Sequence, residues 1–495
     1  LISCRPAAEE DISAGDLDAS VSYLASDALA GREVGSAGIR LAEDYIASRF
    51  GRYGLKPLPG QTGYFLDFSL YKYGFDSRKT SLLVRLPGTR LAAVPGDDFT
   101  PFYFSGTGRR TAGLVFAGYG ITAPEYHYDD YAHLPVTGKF VLVLRHTPNQ
   151  YDPQSPFAGS AKPSPYAYFS KKIENAKKHG AAGMIIINDP LFQGTGYDMR
   201  FPALYSPESG LPRANSRIGR FLRNDSNFIV LVMGDSMAEK VFSANGYTLR
   251  DIQKAIDKGA APRDFLLKNA VVSVSVAKTR RPERIGARNV AGFIRGSSPQ
   301  LKKQWIVIGA HHDHLGAFKG RGDTVYNGAN DNASGVGALL ELVGAFSRSD
   351  AIPERNLLFV TFSAEEEGLL GSKNFIAQNM PPAETIRYMV NIDMIGQHPD
   401  NPLFVFTTGI TARLRNALLD LNSEGLVISH RKHIPEGYTS DNEVFASKGI
   451  PTIFFSSAVN DDYHTVTDQA EKLDYHSMQK VVRFIYRVIA KLANE

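Results

Sequence analysis

From about residue 285 onward the chain alternates short apolar runs with amphipathic ones, and that alternation limits the fold more than any other feature. Ile306–Ile308, Leu357–Phe362, Met389–Ile392, Leu403–Phe406 and Thr452–Phe455 read as strands, while Gly335–Phe346, Ser372–Gln378 and Val481–Leu492 read as helices. Strands separated by helices build an α/β fold with a mixed, mostly parallel central sheet flanked by helices. Ligands gather just beyond the carboxyl ends of the strands in such sheets, and here those ends carry imidazoles and carboxylates. His311, His312, Asp313 and His314 follow the first strand, Asp331 opens the next helix, Glu365 and Glu366 follow the second strand, Asp393 ends the third and His464 follows the last. Such groups are costly to bury unless paired or metal-bound, so their concentration at one sheet edge is what a metal site requires. Chance placement is the competing reading. A lone strand-end His is more often structural, Glu365-Glu366-Glu367 alone is a solvated charge run, and Asp331–Gly335 alone is a helix cap. The combination, in this order, carries the inference.

The chain has 495 residues, against ~100 to 200 for a typical domain, so at least two domains are expected. Residues 16 to 57 read as an amphipathic helical segment, with Ala42, Tyr45, Ile46 and Phe50 at helical spacing and Gly54 and Pro57 as terminators. Between about 110 and 275 the strands Leu114–Ala117, Phe140–Leu144, Met184–Ile187 and Phe228–Val232, with one helix near Tyr168–His179, describe a β-rich second domain that shows no clustered His or carboxylate set. The expected division is 5–95 and 271–495 for the α/β domain and 96–270 for the insert. No internal repeat or low-complexity segment is present.

The 55 Lys and Arg against 51 Asp and Glu leave a net charge of +4, too small an excess at this length to imply a nucleic-acid partner. No run approaches the ~20 apolar residues that span a bilayer. The single cysteine, Cys4, excludes an internal disulfide framework and a cysteine zinc cluster, so any metal must be held by His, Asp and Glu. There is no His-Glu-x-x-His helix, Gly-x-Ser-x-Gly elbow, phosphate-binding loop or dinucleotide fingerprint. Leu1-Ile2-Ser3-Cys4 resembles the end of a bacterial lipoprotein signal. That resemblance implies an envelope protein, periplasmic or on the outer membrane, or else a secreted one, whose only membrane contact is a lipid on Cys4.

The segments Ala310–His314, Gly328–Gly335, Glu365–Ser372, Asn391–Gly396 and Tyr463–Thr465 resemble the co-catalytic di-zinc aminopeptidase family. Leu29–Glu33 and Gly54–Pro57 extend the likeness towards the N-terminus. The middle region is similar to the protease-associated domain often inserted in that family, through Tyr128–Tyr131, Gly138-Lys139 and Lys177–Asp189. The resemblance implies two zinc ions per chain, with His311, Asp331 and Asp393 on one and Asp331, Glu366 and His464 on the other, Asp331 bridging. It further implies Glu365 as general base, Asp313 as the residue that orients His311 and Tyr463 as a donor to the developing oxyanion. His312 is expected to pack or hydrogen-bond, and His314 to line the site. Ser440 and Asp441 resemble a pair near the family's pocket, with Asn442 where many relatives have His.

The implied activity is removal of N-terminal residues from peptides with a free amine. Carboxypeptidases and the one-zinc glutaminyl cyclases on the same fold, and receptor-like relatives that have lost their ligands, are the alternatives. Oligomeric state and the preferred side chain are not encoded legibly. Arg321-Gly322-Asp323 is an integrin-type tripeptide in a Gly-rich loop, and the sequon at Asn332-Ala333-Ser334 lies inside the implied metal loop, where a glycan would block the site.

Overall fold

The computed structural model describes residues 8–495 apart from 73, 103–104, 159–163, 192–203, 206–226, 280–282, 318–322, 379–380, 397–401, 432–438, 458–459 and 461. Cys4, Arg321 and Gly322 lie outside the described residues. The chain divides into two compact units, one built from residues 1–70, 206–209 and 285–495, the other from 71–205 and 210–284.

The first unit is organised by a mixed sheet whose strands run in the spatial order Phe65–Lys72, Glu283–Ile294, Asn356–Phe362, Trp305–His311, Ile386–Ile392, Thr452–Ser456, Leu403–Thr408 and Ile428–Arg431. The central neighbours are parallel: Trp305–His311 lies between Asn356–Phe362 and Ile386–Ile392, which in turn pairs with Thr452–Ser456. Every residue of Trp305–His311, Asn356–Phe362 and Thr452–Ser456 is buried. That is why these strands read as unbroken apolar runs rather than as alternation. The helices Gly335–Arg348 and Tyr475–Ala493 cover one face, with Leu339, Leu342, Val343, Val481, Ile485 and Val488 packed on Ile306, Ile308, Leu357 and Phe359 in one core. Each such side chain contributes about 1.5–3 kcal/mol when fully buried.

The expected single helical segment over 16 to 57 is two helices, Ala14–Leu24 and Ala37–Arg52. Between them Ala30, Gly31 and Arg32 are left-handed in succession, with φ of 44°, 68° and 51°. Hydrophobic spacing does not encode such a break. At Gly31 a Cβ would run into the carbonyl oxygens of Gly316 and Tyr326, so only glycine fits. The turn places the Arg32 side chain in the interior, 1% exposed.

The second unit holds a sheet in the order Thr89–Ala93, Ser81–Leu86, Val271–Val276, Gly108–Phe116, Phe140–Leu144, Gly183–Ile187, Ile229–Met233 and Phe99–Pro101. Because Ser81–Leu86 and Val271–Val276 pair with each other, and the latter with Gly108–Phe116, this unit is wider than residues 96–270.

Candidate metal centre

Five segments of the first unit deliver polar groups to the carboxyl edge of its parallel strands. His311 is the last residue of its strand, and its Nε2 lies 3.2 Å from Asp331 Oδ1 and 3.4 Å from Asp393 Oδ1. Opposite, His464 Nε2 is 3.1 Å from both Asp331 Oδ2 and Glu366 Oε2. The two oxygens of Asp331 therefore face two different sets of donors. His314, expected only to line the site, joins the second set, with Nδ1 2.8 Å from Glu366 Oε1 and 4.0 Å from Asp331 Oδ2. The donor atoms of His314, Asp331, Glu366 and His464 all lie within 4.8 Å of one another, and so do those of His311, Asp331 and Asp393.

The loop around Asp331 explains the polar run Asn330–Ser334. Asp331 does not open a helix: it and Asn332 have non-helical backbones, the peptide between them is cis, and the helix begins at Gly335. Asn332 Oδ1 accepts from the N–H groups of Gly335 (2.9 Å) and Met394 (3.1 Å), while its Nδ2 donates to Ile392 O at 3.0 Å. Ser334 Oγ accepts from Ile395 N–H, and Asn330 Oδ1 from Gly396 N–H. Each polar side chain thus ties the Asp331 loop to the Asp393 loop and fixes the spacing of these two carboxylates. From the far side the buried Asp468 accepts from the N–H groups of Asn330 and Asp331 at 2.8 and 3.0 Å. Asp468 went unread in the sequence because it sits in no motif quoted above.

Asp313 holds the site by two routes. Its main-chain oxygen meets His311 Nδ1 at 3.2 Å, while its carboxylate, 3.8 Å from that nitrogen, accepts from the N–H groups of Glu365 and Glu366 at 3.1 and 3.3 Å. Orientation of the imidazole therefore comes from the backbone, and the carboxylate fixes the loop bearing the expected base. Ser440 Oγ donates to Asp393 Oδ2 at 2.7 Å and accepts from Asn391 Nδ2, so it positions the Asp393 carboxylate; Asn442 Oδ1 lies 3.4 Å from the same Asn391 amide. His312 points away, its Nε2 3.8 Å from Glu43 Oε1, and Glu43 is clasped by Arg40 and Arg288. Tyr463 is 36% exposed and stacks on the His464 ring at 3.7 Å between centroids.

The buried Arg32 guanidinium was not recognised as part of this architecture. It donates to the main-chain oxygens of His312 (2.9 Å), Asn327 (2.7 Å), Gly328 (2.9 Å) and Leu24, clamping the two loops that carry His311 and Asp331. Burial pulls its pKa down to about 10, opposed by Asp331, Asp468, Asp313 and Glu366.

Electrostatics matches the donor set. Burial alone would raise Asp331 and Glu366, yet the imidazoles of His311 and His464 hold Asp331 well below the carboxylate range, and His464 with His314 holds Glu366 at about 2. Burial likewise opposes a charge on His311, but Asp393, Glu365 and Asp331 outweigh it and raise that imidazole well above its ordinary range. Burial drives Glu365 well above the carboxylate range, reinforced by Glu366, Asp441 and Asp393 and opposed by His311. Asp441 is pushed up to about 7, again by burial. Asp393 Oδ1 is buried with no hydrogen-bond donor. Carboxylates that converge with imidazoles, with the nearby Arg32 guanidinium spent on main-chain oxygens, fit divalent cations held by N and O donors.

Known proteins resemble this chain in sequence and in fold. Residues 289–489 match the model of Peptidase family M28, and residues 108–215 match that of the PA domain. Leupeptin-inactivating enzyme 1 of Streptomyces exfoliatus is 34% identical over 177 residues, 35% of this chain and 39% of that protein. A probable leucine aminopeptidase of Arthroderma benhamiae is 29% identical over 252 residues, 46% of this chain and 67% of that one. Among solved structures, a zinc aminopeptidase from Bacillus subtilis superposes with a TM-score of 0.61 at 16% identity, covering 98% of this chain and 96% of its own. The aminopeptidase from Aneurinibacillus sp. strain AM-1 gives 0.58 at 22% identity, covering 98% and 95%. At those identities the superpositions bear on the fold, and the sequence matches bear on the family. The chain therefore carries a peptidase family M28 domain, preceded in sequence by a PA domain.

Proposed function

We propose that the chain is a two-zinc aminopeptidase that hydrolyses the N-terminal peptide bond of peptides. The observation that carries this reading is Asp331, whose two carboxylate oxygens face separate donor sets, His311 with Asp393 on one side and Glu366 with His464 on the other. Bound there, a pair of cations would acidify a shared water and polarise the scissile carbonyl. Glu365 takes the proton from the attacking water and passes it to the leaving amine. Its buried carboxyl has a raised proton affinity, which suits transfer in both directions. Asp313 fixes the Glu365 main chain, and Ser440 fixes the Asp393 carboxylate, so that the base and a metal donor are both pre-oriented. Tyr463, stacked on His464, is the candidate donor to the oxyanion.

The free amine of the substrate sits against the surplus carboxylates of the site, which makes the enzyme an exopeptidase acting from the N-terminus. Support also comes from its relatives, probable leucine aminopeptidases among them. Residence in a bacterial envelope through a lipid on Cys4 completes the proposal; fatty-acid labelling of the full-length protein is expected, and should vanish in Cys4→Ala. The activity is tested on aminoacyl chromogenic amides with free and with acetylated N-termini. Cleavage of the free-amine set alone is expected. Cleavage of acetylated peptides from the carboxyl end would replace this reading with a carboxypeptidase.

A further inference from the structure

The two donor sets on either side of Asp331 are unequal. One comprises His311, Asp331 and Asp393; the other comprises Asp331, Glu366 and His464 with His314 in addition. His314 is 2% exposed and its ring is fixed from three directions. Its main-chain N–H donates to Arg32 O at 3.3 Å. Its ring lies against Gly328, where an added Cβ would come within 2.5 Å of Cδ2 and 2.6 Å of Cγ. Its plane meets that of His464 at 66°, with centroids 5.7 Å apart. The result is that Nδ1 faces the two carboxylates that His464 Nε2 also faces, while Nε2 is buried without a hydrogen bond.

Two roles are open to such a nitrogen. It could donate a hydrogen bond to Glu366 Oε1, or it could donate its lone pair to a cation shared with Glu366. The convergence of all four donor atoms favours the second. Two imidazoles and two carboxylates complete a four-donor set, the number that zinc takes in closed sites, whereas the three donors opposite leave a place open, as catalytic sites do.

Resting on the two-cation reading above, we propose that His314 Nδ1 is a fourth protein donor to the cation held by Asp331, Glu366 and His464, so that this position fills first and binds tightest. The His311 position, with its three protein donors, is then the second to fill; a water shared between the two cations would be a fourth neighbour there and a fifth at the first. Gly328 leaves room for that ring, and the main-chain oxygen of Arg32 holds the His314 backbone.

The test uses metal-free full-length protein titrated with zinc against a chromophoric chelator, for wild type, His314→Gln, His314→Leu and His311→Gln. Wild type is expected to bind two ions in two resolved steps. Both His314 variants should weaken the first step by at least about 100-fold, beyond the roughly 10- to 100-fold that loss of an outer hydrogen bond costs, and His311→Gln should weaken the second step only. If Gln restores what Leu loses, His314 is a hydrogen-bond donor to Glu366 and the proposal is wrong; wild-type affinities in both variants would also overturn it. X-ray absorption on wild type loaded with one equivalent of zinc provides a check free of substitutions. Two imidazoles per zinc are expected, and one would overturn the proposal. Wild type that takes fewer than two ions would instead remove the two-cation reading on which it rests.

Discussion

Both units bury a cluster of charged and titratable side chains, and the clusters differ in how their polar atoms are satisfied. In the second unit Lys172, 1% exposed, donates to the main-chain oxygens of Tyr119 and His146, and Asp130 accepts from the N–H groups of Tyr119 and Ile121 and from the Tyr128 hydroxyl. His146 pairs with Asp189, and the Tyr119 hydroxyl bridges Gln253 and Asp257. Burial lowers Lys172 and raises Asp130, each opposed by its oppositely charged neighbours. Donors there meet acceptors and the network closes on itself. In the first unit the carboxylates of Asp331, Glu366 and Asp393 and the imidazoles of His311, His314 and His464 turn towards one another. Their repulsions are relieved by shared protons or by cations. Burial and shifted proton affinity are common to both clusters, and convergence of lone pairs separates a site from a scaffold.

Substitutions sharpen that contrast. Asp331→Asn removes charge from both donor sets at once, so both ions should be lost and peptidase turnover should fall to background; metal analysis of the purified variant reads this directly. Lys172→Met should cost about 1–3 kcal/mol, since it leaves the buried main-chain oxygens of Tyr119 and His146 without their donor. Chemical denaturation should show the loss, while metal content and turnover below the transition stay as in wild type. A loss of metal in Lys172→Met would erase the distinction drawn here.

Glu341 offers a smaller effect on the helix face that receives the N-terminal segment. It accepts from Ser13 N–H at 3.1 Å, and burial, with Asp16 adding to it and Arg348 and Arg49 opposing, raises it to about 7. A carboxyl whose folded pKa lies above its unfolded value favours the folded state when protonated. Its contribution is therefore fully present below about pH 4.5 and is lost as pH rises towards 7. Glu341→Gln should stabilise the protein at pH 8 by up to about 3 kcal/mol, with the gain vanishing near pH 4 in denaturation curves across that range. Tyr463→Phe is expected to reduce kcat by about tenfold or less with little change in KM, because the exposed ring still stacks on His464.

Much of the edge that carries the candidate site is legible in the sequence because its strands are buried on both faces and each ends in a motif. Asn356–Phe362 and Thr452–Ser456 fall within a residue of the apolar runs that mark them. What escaped is what periodicity does not carry. The left-handed turn at Ala30–Arg32 splits one helical pattern into two helices and sends a guanidinium inward to bind carbonyls from residues 24, 312, 327 and 328. Asp468 supports Asp331 across a separation of 137 residues. The second unit's polar cluster draws on Tyr119, Asp130, His146, Lys172, Asp189 and Asp257, spaced too widely in the chain to register as a motif. His314 was read as lining the site because the resemblance assigns the first histidine of its run, and only the fold brings Nδ1 to Glu366.

The most direct test of the account is a paired measurement on Glu365→Gln, its zinc content and its turnover of a free-amine aminoacyl amide. Glu365, the proposed base, belongs to neither of the donor sets. The variant is predicted to retain two zinc ions per chain while turnover falls by about 10²- to 10⁴-fold. Wild-type turnover with both ions in place would contradict the assignment of Glu365 as the base, and with it the mechanism built on this site.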